Sequence, residues 1–306
     1  MNDKIIKDVS ASIRQKLLNL SVKSKRPFEE VLQYYMIERF IYRLSISAYK
    51  DLFILKGALM LHVWQLSASR ATRDIDLLGT ADNSVENISS IIKDICLIVD
   101  DDGVIYDENS VQAEVIQEQN SYSGIRAKFN GDIGRARARM QIDIGFGDVI
   151  HPEPIKVSYP TLLPNISTPD ILGYTPETLI SEKVHSMVRH GTRNSRIKDF
   201  FDIWFLSRQF LFEGQTLSKA IQKTFANREM PLSKLHSDIF SDEFKANVQM
   251  QRYWTAFINK NISGITLPND FDSIMNQIAL FISPIFEAIE RSNEFTYTWV
   301  APGPWK

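Results

Sequence analysis

Residues 135–144 read Arg-Ala-Arg-Ala-Arg-Met-Gln-Ile-Asp-Ile, a strict alternation that no helix could sort into a dry side and a wet side. As a strand it separates cleanly. Ala136, Ala138, Met140, Ile142 and Ile144 share one face, while Arg135, Arg137, Arg139, Gln141 and Asp143 share the other. The chain must therefore build a sheet with one packed face and one polar face. Asp74-Ile75-Asp76 follows the same parity, so two carboxylates project from one side of a strand backed by Ile75, Leu77 and Leu78. Such a pair can hold a hard cation such as Mg2+, which prefers oxygen ligands and keeps positions open for phosphates. Asp-x-Asp pairs also occur as solvated carboxylates, so context has to carry the reading. Upstream, Lys56-Gly57 ends the apolar run Leu52-Phe53-Ile54-Leu55. A glycine lets backbone amides approach a phosphate, and a lysine adds positive charge. Phosphate-binding glycine and lysine followed by metal-binding aspartates is the equipment for nucleotidyl transfer.

If Asp143 joins Asp74 and Asp76, three carboxylates converge on one sheet face. A third carboxylate can act as a base or complete a two-metal site. The same parity lines Arg135, Arg137 and Arg139 along that face, suited to a triphosphate or an RNA backbone. The alternative is a solvated outer face, about equally good for Arg135 and Arg137.

The chain has 306 residues, room for two domains, with 44% hydrophobic and 24% charged residues. No apolar run approaches a membrane span, and the N-terminus lacks the apolar core of a signal peptide. Cys96, the sole cysteine, lies in an apolar run and reads as a buried, inert thiol. A cytoplasmic location is expected. The net charge of -2 confines any nucleic-acid contact to local patches. His62, His151, His185, His190 and His236 show no metal-ligand spacing, and neither a serine-hydrolase elbow nor a Walker loop is present.

Residues 3–48 read as two or three helices, restarted at Pro27. A short helix over 56–66, a strand over Arg73–Leu78 and a helix over Ser84–Ile95 follow. Strands are expected over Ala113–Gln117, Gly124–Phe129 and Arg135–Ile144. Asp100-Asp101-Asp102-Gly103 reads as a turn with solvated carboxylates. The proline-rich segment 151–176 reads as an extended crossing between domains, since proline disfavours helices and central strands. Beyond it the pattern is helical to about Arg291. The tail from Phe295 to Lys306 reads as irregular, either packed on the surface or disordered. Thr175-Pro176-Glu177 is a helix start and Gly191 a stop. On that helix Lys183 sits at the edge of the apolar stripe, a position that favours a snorkelling surface lysine. The next helix, from Asn194 or Ser195, carries Arg196, Lys198, Asp199 and Asp202, and pattern alone favours a surface ion pair there.

These pieces in this order resemble the AbiEii/AbiGii toxin family of nucleotidyltransferases, which includes the MenT toxins within the DNA polymerase beta-like superfamily. The matching residues are Leu55-Lys56-Gly57-Ala58-Leu59, then Arg70-Ala71-Thr72-Arg73-Asp74-Ile75-Asp76-Leu77. Ser181-Glu182-Lys183 and Arg196-Ile197-Lys198-Asp199-Phe200-Phe201-Asp202 follow. The resemblance covers roughly 45–210. It implies an α+β fold: a polymerase beta-like mixed sheet flanked by helices, followed by a mostly helical C-terminal domain. The domains are expected at 1–165 and 166–306. Lys56, Gly57, Ala58, Thr72, Arg73 and Lys198 would contact nucleotide or phosphate, and Asp74 and Asp76 would hold Mg2+. Lys183, Asp199 and Asp202 would complete the catalytic set that includes Asp143. The implied reaction moves a nucleoside monophosphate from an NTP to an acceptor, foremost RNA at the tRNA 3' end. Arg135, Arg137, Arg139, Arg193 and Arg196 are RNA-binding candidates, and a bacterial cognate antitoxin is an implied partner. Many members carry a glycine, serine or threonine after Lys-Gly, where this chain has Ala58. A protein or small-molecule acceptor, or a non-catalytic degenerate transferase fold, remains as an alternative.

Overall fold

The computed structural model describes residues 8–64, 72–118, 122–232, 238–261 and 267–306. His236, Arg70 and Ala71 lie outside the described residues. The chain divides into two compact units. Within the described residues the first comprises those before 65, then 72–147 and 156–173, and the second comprises 148–155 and the chain from Tyr174 onward.

The first unit is a mixed sheet with helices. Its elements are α1 (Val9–Ser24), α2 (Phe28–Ile46), β1 (Phe53–Lys56), α3 (Leu59–Val63), β2 (Asp74–Gly79) and α4 (Val85–Cys96). Then come β3 (Ile105–Glu118), β4 (Tyr122–Ile133), β5 (Ala136–Phe146), β6 (Ile155–Ser158) and β7 (Asp170–Gly173). The sheet order is β3-β4-β5-β2-β1-β7-β6. β2 runs parallel to β5 and antiparallel to β1, and β4 is antiparallel to both β3 and β5. The alternation expected for 136–144 holds: Met140, Ile142 and Ile144 are buried, while Arg137 and Arg139 are exposed. Arg135 is an exception, because it lies in the turn with Gly134, whose φ of 57° a glycine accommodates without strain. The proline-rich segment is not a bare crossing. It contributes β6 and β7 to the sheet beyond β1. Its prolines fall outside these two short strands, so the missing N–H groups cost no ladder bonds.

α2 is buried almost all round, unlike an ordinary surface helix. Its polar residues are consumed by a network that corrects the expectation for 100–102. Asp102 is not a solvated turn carboxylate but a buried one, gripped by Arg39 Nε (2.9 Å) and by Arg43 Nη1 (2.6 Å) and Nη2 (3.0 Å). Its Oδ1 also accepts the Val104 N–H. Two arginines one helical turn apart on α2 share a face, and that spacing lets both reach one acid. Neighbouring Glu38 accepts the Leu162 N–H at 2.7 Å and pairs with Arg39. Burial pushes its carboxyl up to about 7, against the lowering effect of those two partners. Cys96 is buried as expected, and burial pushes its thiol up to about 12.

The second unit is mostly helical: α5 (Pro176–His190), α6 (Ile197–Ser207), α7 (Gly214–Asn227), α8 (Asp242–Lys245), α9 (Val248–Asn261) and α10 (Phe271–Glu290). A two-residue strand β8 (Phe212–Glu213) pairs with β9 (Thr298–Trp299). The tail is therefore packed. Trp299 is fully buried and donates Nε1–H to the Ser207 carbonyl at 2.6 Å, while Trp305 stacks on Phe281. No described helix is long and apolar enough to cross a membrane.

Candidate functional site

Strand register assembles the first-unit site. Lys56 on β1 lies opposite Asp76 on β2, Asp76 opposite Asp143 on β5, Asp143 opposite Arg126 on β4, and Arg126 opposite Glu114 on β3. Residues directly opposite project to the same face, so five charged side chains form one row across five strands. Asp74 stands two residues along β2 on that face, opposite Gln141. The opposite face of β2 buries Ile75 and Leu77 fully, which leaves Asp74 and Asp76 half-buried rather than dissolved in solvent.

The loop after β1 closes tightly on this row. Gly57 has φ +71°, in the left-handed region, and an added Cβ would lie 2.8 Å from Asp76 Cβ and Cγ. Only glycine lets the backbone come so near the carboxylate. Lys56 and Ala58 on either side are buried. Ahead of β2, the Thr72 N–H donates to the Tyr34 hydroxyl at 3.1 Å, and Thr72 Oγ1 donates to the Asp74 carbonyl at 3.4 Å. Gln33 on α2 donates to the Arg73 carbonyl at 3.2 Å and to the Arg139 carbonyl at 3.4 Å, tying the N-terminal stretches of β2 and β5 together. Arg73 itself is exposed.

Asp143 shares the row as its parity requires, yet it does not close a three-carboxylate cluster. Arg126 takes both of its oxygens: Nε to Oδ1 at 2.8 Å and Nη2 to Oδ2 at 2.6 Å. Among the described residues no three His, Cys, Asp or Glu side chains are placed to hold a metal together. Asp74 and Asp76 do fit Mg2+ by donor chemistry. They supply hard oxygens from one strand, and one or two carboxylates with phosphates and water is how this ion is usually held. Arg126 was missed in the sequence, although its alternation with buried Ile125, Ala127 and Phe129 marks it as a polar-face residue.

The second unit gathers its own cluster. Lys183 is not a snorkelling surface lysine. It is buried, and its Nζ lies 3.2 Å from Asp199 Oδ1 and 2.7 Å from Asp202 Oδ2. The surface ion pair expected on α6 is thus a buried one made across to α5. Ser186 Oγ and Arg196 Nε also donate to Asp199 Oδ2, at 3.1 and 2.7 Å. Burial pushes the Asp199 carboxyl up, but Lys183 and Arg196 outweigh it and hold the group well below the usual carboxylate range. Arg196 precedes α6 instead of riding on it, because the Asn194 side chain accepts its N–H and turns the chain. Lys198 and Arg193 are exposed. Nearby, half-buried Arg228 binds Asp148 at 2.7 Å and Glu182 at 3.3 Å, fixing residue 148 against α5 and α7.

Of the arginines expected to meet RNA, Arg135, Arg139 and Arg193 are exposed, Arg137 pairs with Asp132 at 2.8 Å, and Arg196 is committed to Asp199. The family model described as nucleotidyl transferase AbiEii toxin, Type IV TA system, matches residues 39–277. The chain belongs to that family. It is a nucleotidyltransferase, and the match spans both the carboxylate row and the Lys183 cluster. Comparison with curated proteins gives no match. Among solved structures the chain is similar to JHP933 from Helicobacter pylori, at 12% identity and a TM-score of 0.44, covering 86% of this chain and 94% of that one. A second H. pylori protein, described as a candidate nucleotidyltransferase, is 14% identical with a TM-score of 0.43, covering 87% of this chain and 98% of that one.

Proposed function

We propose that the chain moves a nucleoside monophosphate from an NTP to RNA, at the 3' end of tRNA, as the toxin of a bacterial toxin–antitoxin pair acting in the cytoplasm. The observation that supports this most is the register that sets Lys56, Asp76 and Asp143 side by side, with Asp74 on the same face and Gly57 against Asp76. Asp74 and Asp76 would hold Mg2+, which would neutralise charge on the reacting phosphates. Lys56 adds positive charge where the triphosphate would lie, and Gly57, Ala58, Thr72 and Arg73 would line its path. An acceptor hydroxyl oxygen forms a bond to the α-phosphorus as the bond to the pyrophosphate leaving group breaks. Asp143, opposite Asp76 on β5, is the third carboxylate proposed for the catalytic set. In the second unit Lys183 is the proposed functional cation, its ammonium fixed by Asp199 and Asp202, with Lys198 as a further phosphate contact. Exposed Arg139, Arg135 and Arg193 give a polyanion local purchase on a chain of net charge -2. A cognate antitoxin follows from the family's toxin–antitoxin character.

The test is incubation with each of four α-labelled NTPs, Mg2+ and total bacterial tRNA, beside Asp74→Ala/Asp76→Ala. Label on tRNA that vanishes in the variant is the expected result and names the nucleotide. Label only on protein would replace the RNA acceptor with a protein one. No labelling and no NTP binding would sink the proposal.

A further inference from the structure

We propose that Arg126 is the resident counter-cation of the carboxylate row, competing with the divalent cation for Asp143 and passing its guanidinium to the nucleotide phosphates when metal enters. This rests on the reading of Asp74 and Asp76 as the metal-binding pair.

Asp76 and Asp143 are directly opposite on neighbouring parallel strands, about 5 Å apart at the backbone, where like charges repel. Asp143 is only 13% exposed at its side chain, so solvent screens it poorly. Arg126 answers this charge with a two-pronged contact, supplemented by Gln141 Nε2 at 3.4 Å from Asp143 Oδ2. Its guanidinium also feels the charges of Asp74 and Glu114, so it answers to the carboxylate group and not to one partner. A guanidinium keeps its charge at every physiological pH and fits carboxylate and phosphate with the same geometry. At 32% side-chain exposure it retains a route away from Asp143, unlike the buried Arg39 and Arg43. A divalent ion arriving beside Asp76 supplies the positive charge that Arg126 provided, and repels the guanidinium. Glu114, opposite Arg126 on β3, is already paired with Lys128 at 2.9 Å, so the substrate's phosphate would then offer the guanidinium an acceptor of matching shape. Arg126 is thus a positioning residue that couples metal occupancy to nucleotide binding.

The experiment measures Mn2+ affinity by electron paramagnetic resonance, then NTP affinity with Mn2+ saturating, for the full chain, Arg126→Gln and Arg126→Lys. Arg126→Gln should bind Mn2+ alone about tenfold tighter, because a competing positive charge is gone. With Mn2+ present it should bind NTP about tenfold more weakly. Mg2+ should also raise its melting temperature more than that of the parent chain. Arg126→Lys, which keeps charge but loses the fork, should hold the Mn2+ affinity near the parent's while still losing NTP affinity. A merely structural arginine would shift both affinities the same way or neither, and that result overturns the proposal. If the parent chain binds no Mn2+ that Asp74→Ala/Asp76→Ala abolishes, the metal reading itself fails and this inference falls with it.

Discussion

Replacing Gly57 with alanine tests whether the loop after β1 must press its backbone against Asp76. The left-handed φ of +71° costs a residue with a Cβ about 1–2 kcal/mol. The new Cβ would also fall 2.8 Å from Asp76 Cβ, an atom fixed to the β2 backbone that no rotamer change can move away. Relief therefore requires a shift of strand or loop, and overpacking of this kind adds about 1–3 kcal/mol. A total near 3 kcal/mol lowers the melting temperature of a unit this size by about 6–12 °C. Because the displaced group is Asp76, an ångström-scale shift should cost about a hundredfold in nucleotidyl transfer. The assay pairs thermal melting with single-turnover labelling. Gly134→Ala serves as control, since it carries the same left-handed strain, φ +57°, but its new Cβ would meet Ser10 Cβ at an ordinary 3.7 Å. If Gly57→Ala melts within about 1 °C of the parent and labels at the same rate, the close approach has no function.

Lys183→Met removes the buried ammonium that Asp199 and Asp202 share, leaving Asp199 with Arg196 and Ser186, and should cost about 3–5 kcal/mol by denaturant titration. Adding Asp199→Asn and Asp202→Asn should recover most of that stability while labelling activity stays lost, and recovery of both would remove Lys183 from the reaction. Glu38, raised to about 7 from an ordinary 4.5, favours the folded state when protonated. Its contribution is full below about 4.5 and fades as pH rises through 7, so Glu38→Gln should flatten that slope, worth up to about 3 kcal/mol. His62 is pushed by burial down to about 4, with the opposite sign: stability present above 6.5 is lost as pH falls towards 4. His62→Phe should remove that acid-side loss in pH-dependent melts. Trp299→Ala, deleting a fully buried ring and its bond to the Ser207 carbonyl, should cost about 3–5 kcal/mol, and a near-neutral melt would show the tail to be dispensable.

What the sequence revealed follows from what local patterns can encode. The α5 boundaries were readable because Thr175, Pro176 and Gly191 each have one dominant local use. The face of β5 was readable because alternation has only one physical interpretation. Asp102 was misread, since the two arginines that hold it lie about sixty residues earlier, and nothing in a run of three aspartates says which one turns inward. Lys183 was misread for the same reason: its partners are on the next helix, and an isolated helix wheel shows only its distance from the apolar stripe. The tail defeated local reading because its order comes from β8 and Phe281, not from its own propensities.

The five-strand row has a consequence for folding fidelity. Each strand contributes one charge at one level, and neighbouring residues on β2, β4 and β5 are buried and apolar. A slip of a single residue on any of these strands would turn Asp76, Arg126 or Asp143 into the hydrocarbon layer and expose Ile75, Ile125 or Ile142 to water. The charges that equip the sheet for nucleotide chemistry thereby also veto mispaired sheets, so misregistered conformers should be scarce even before any nucleotide is met.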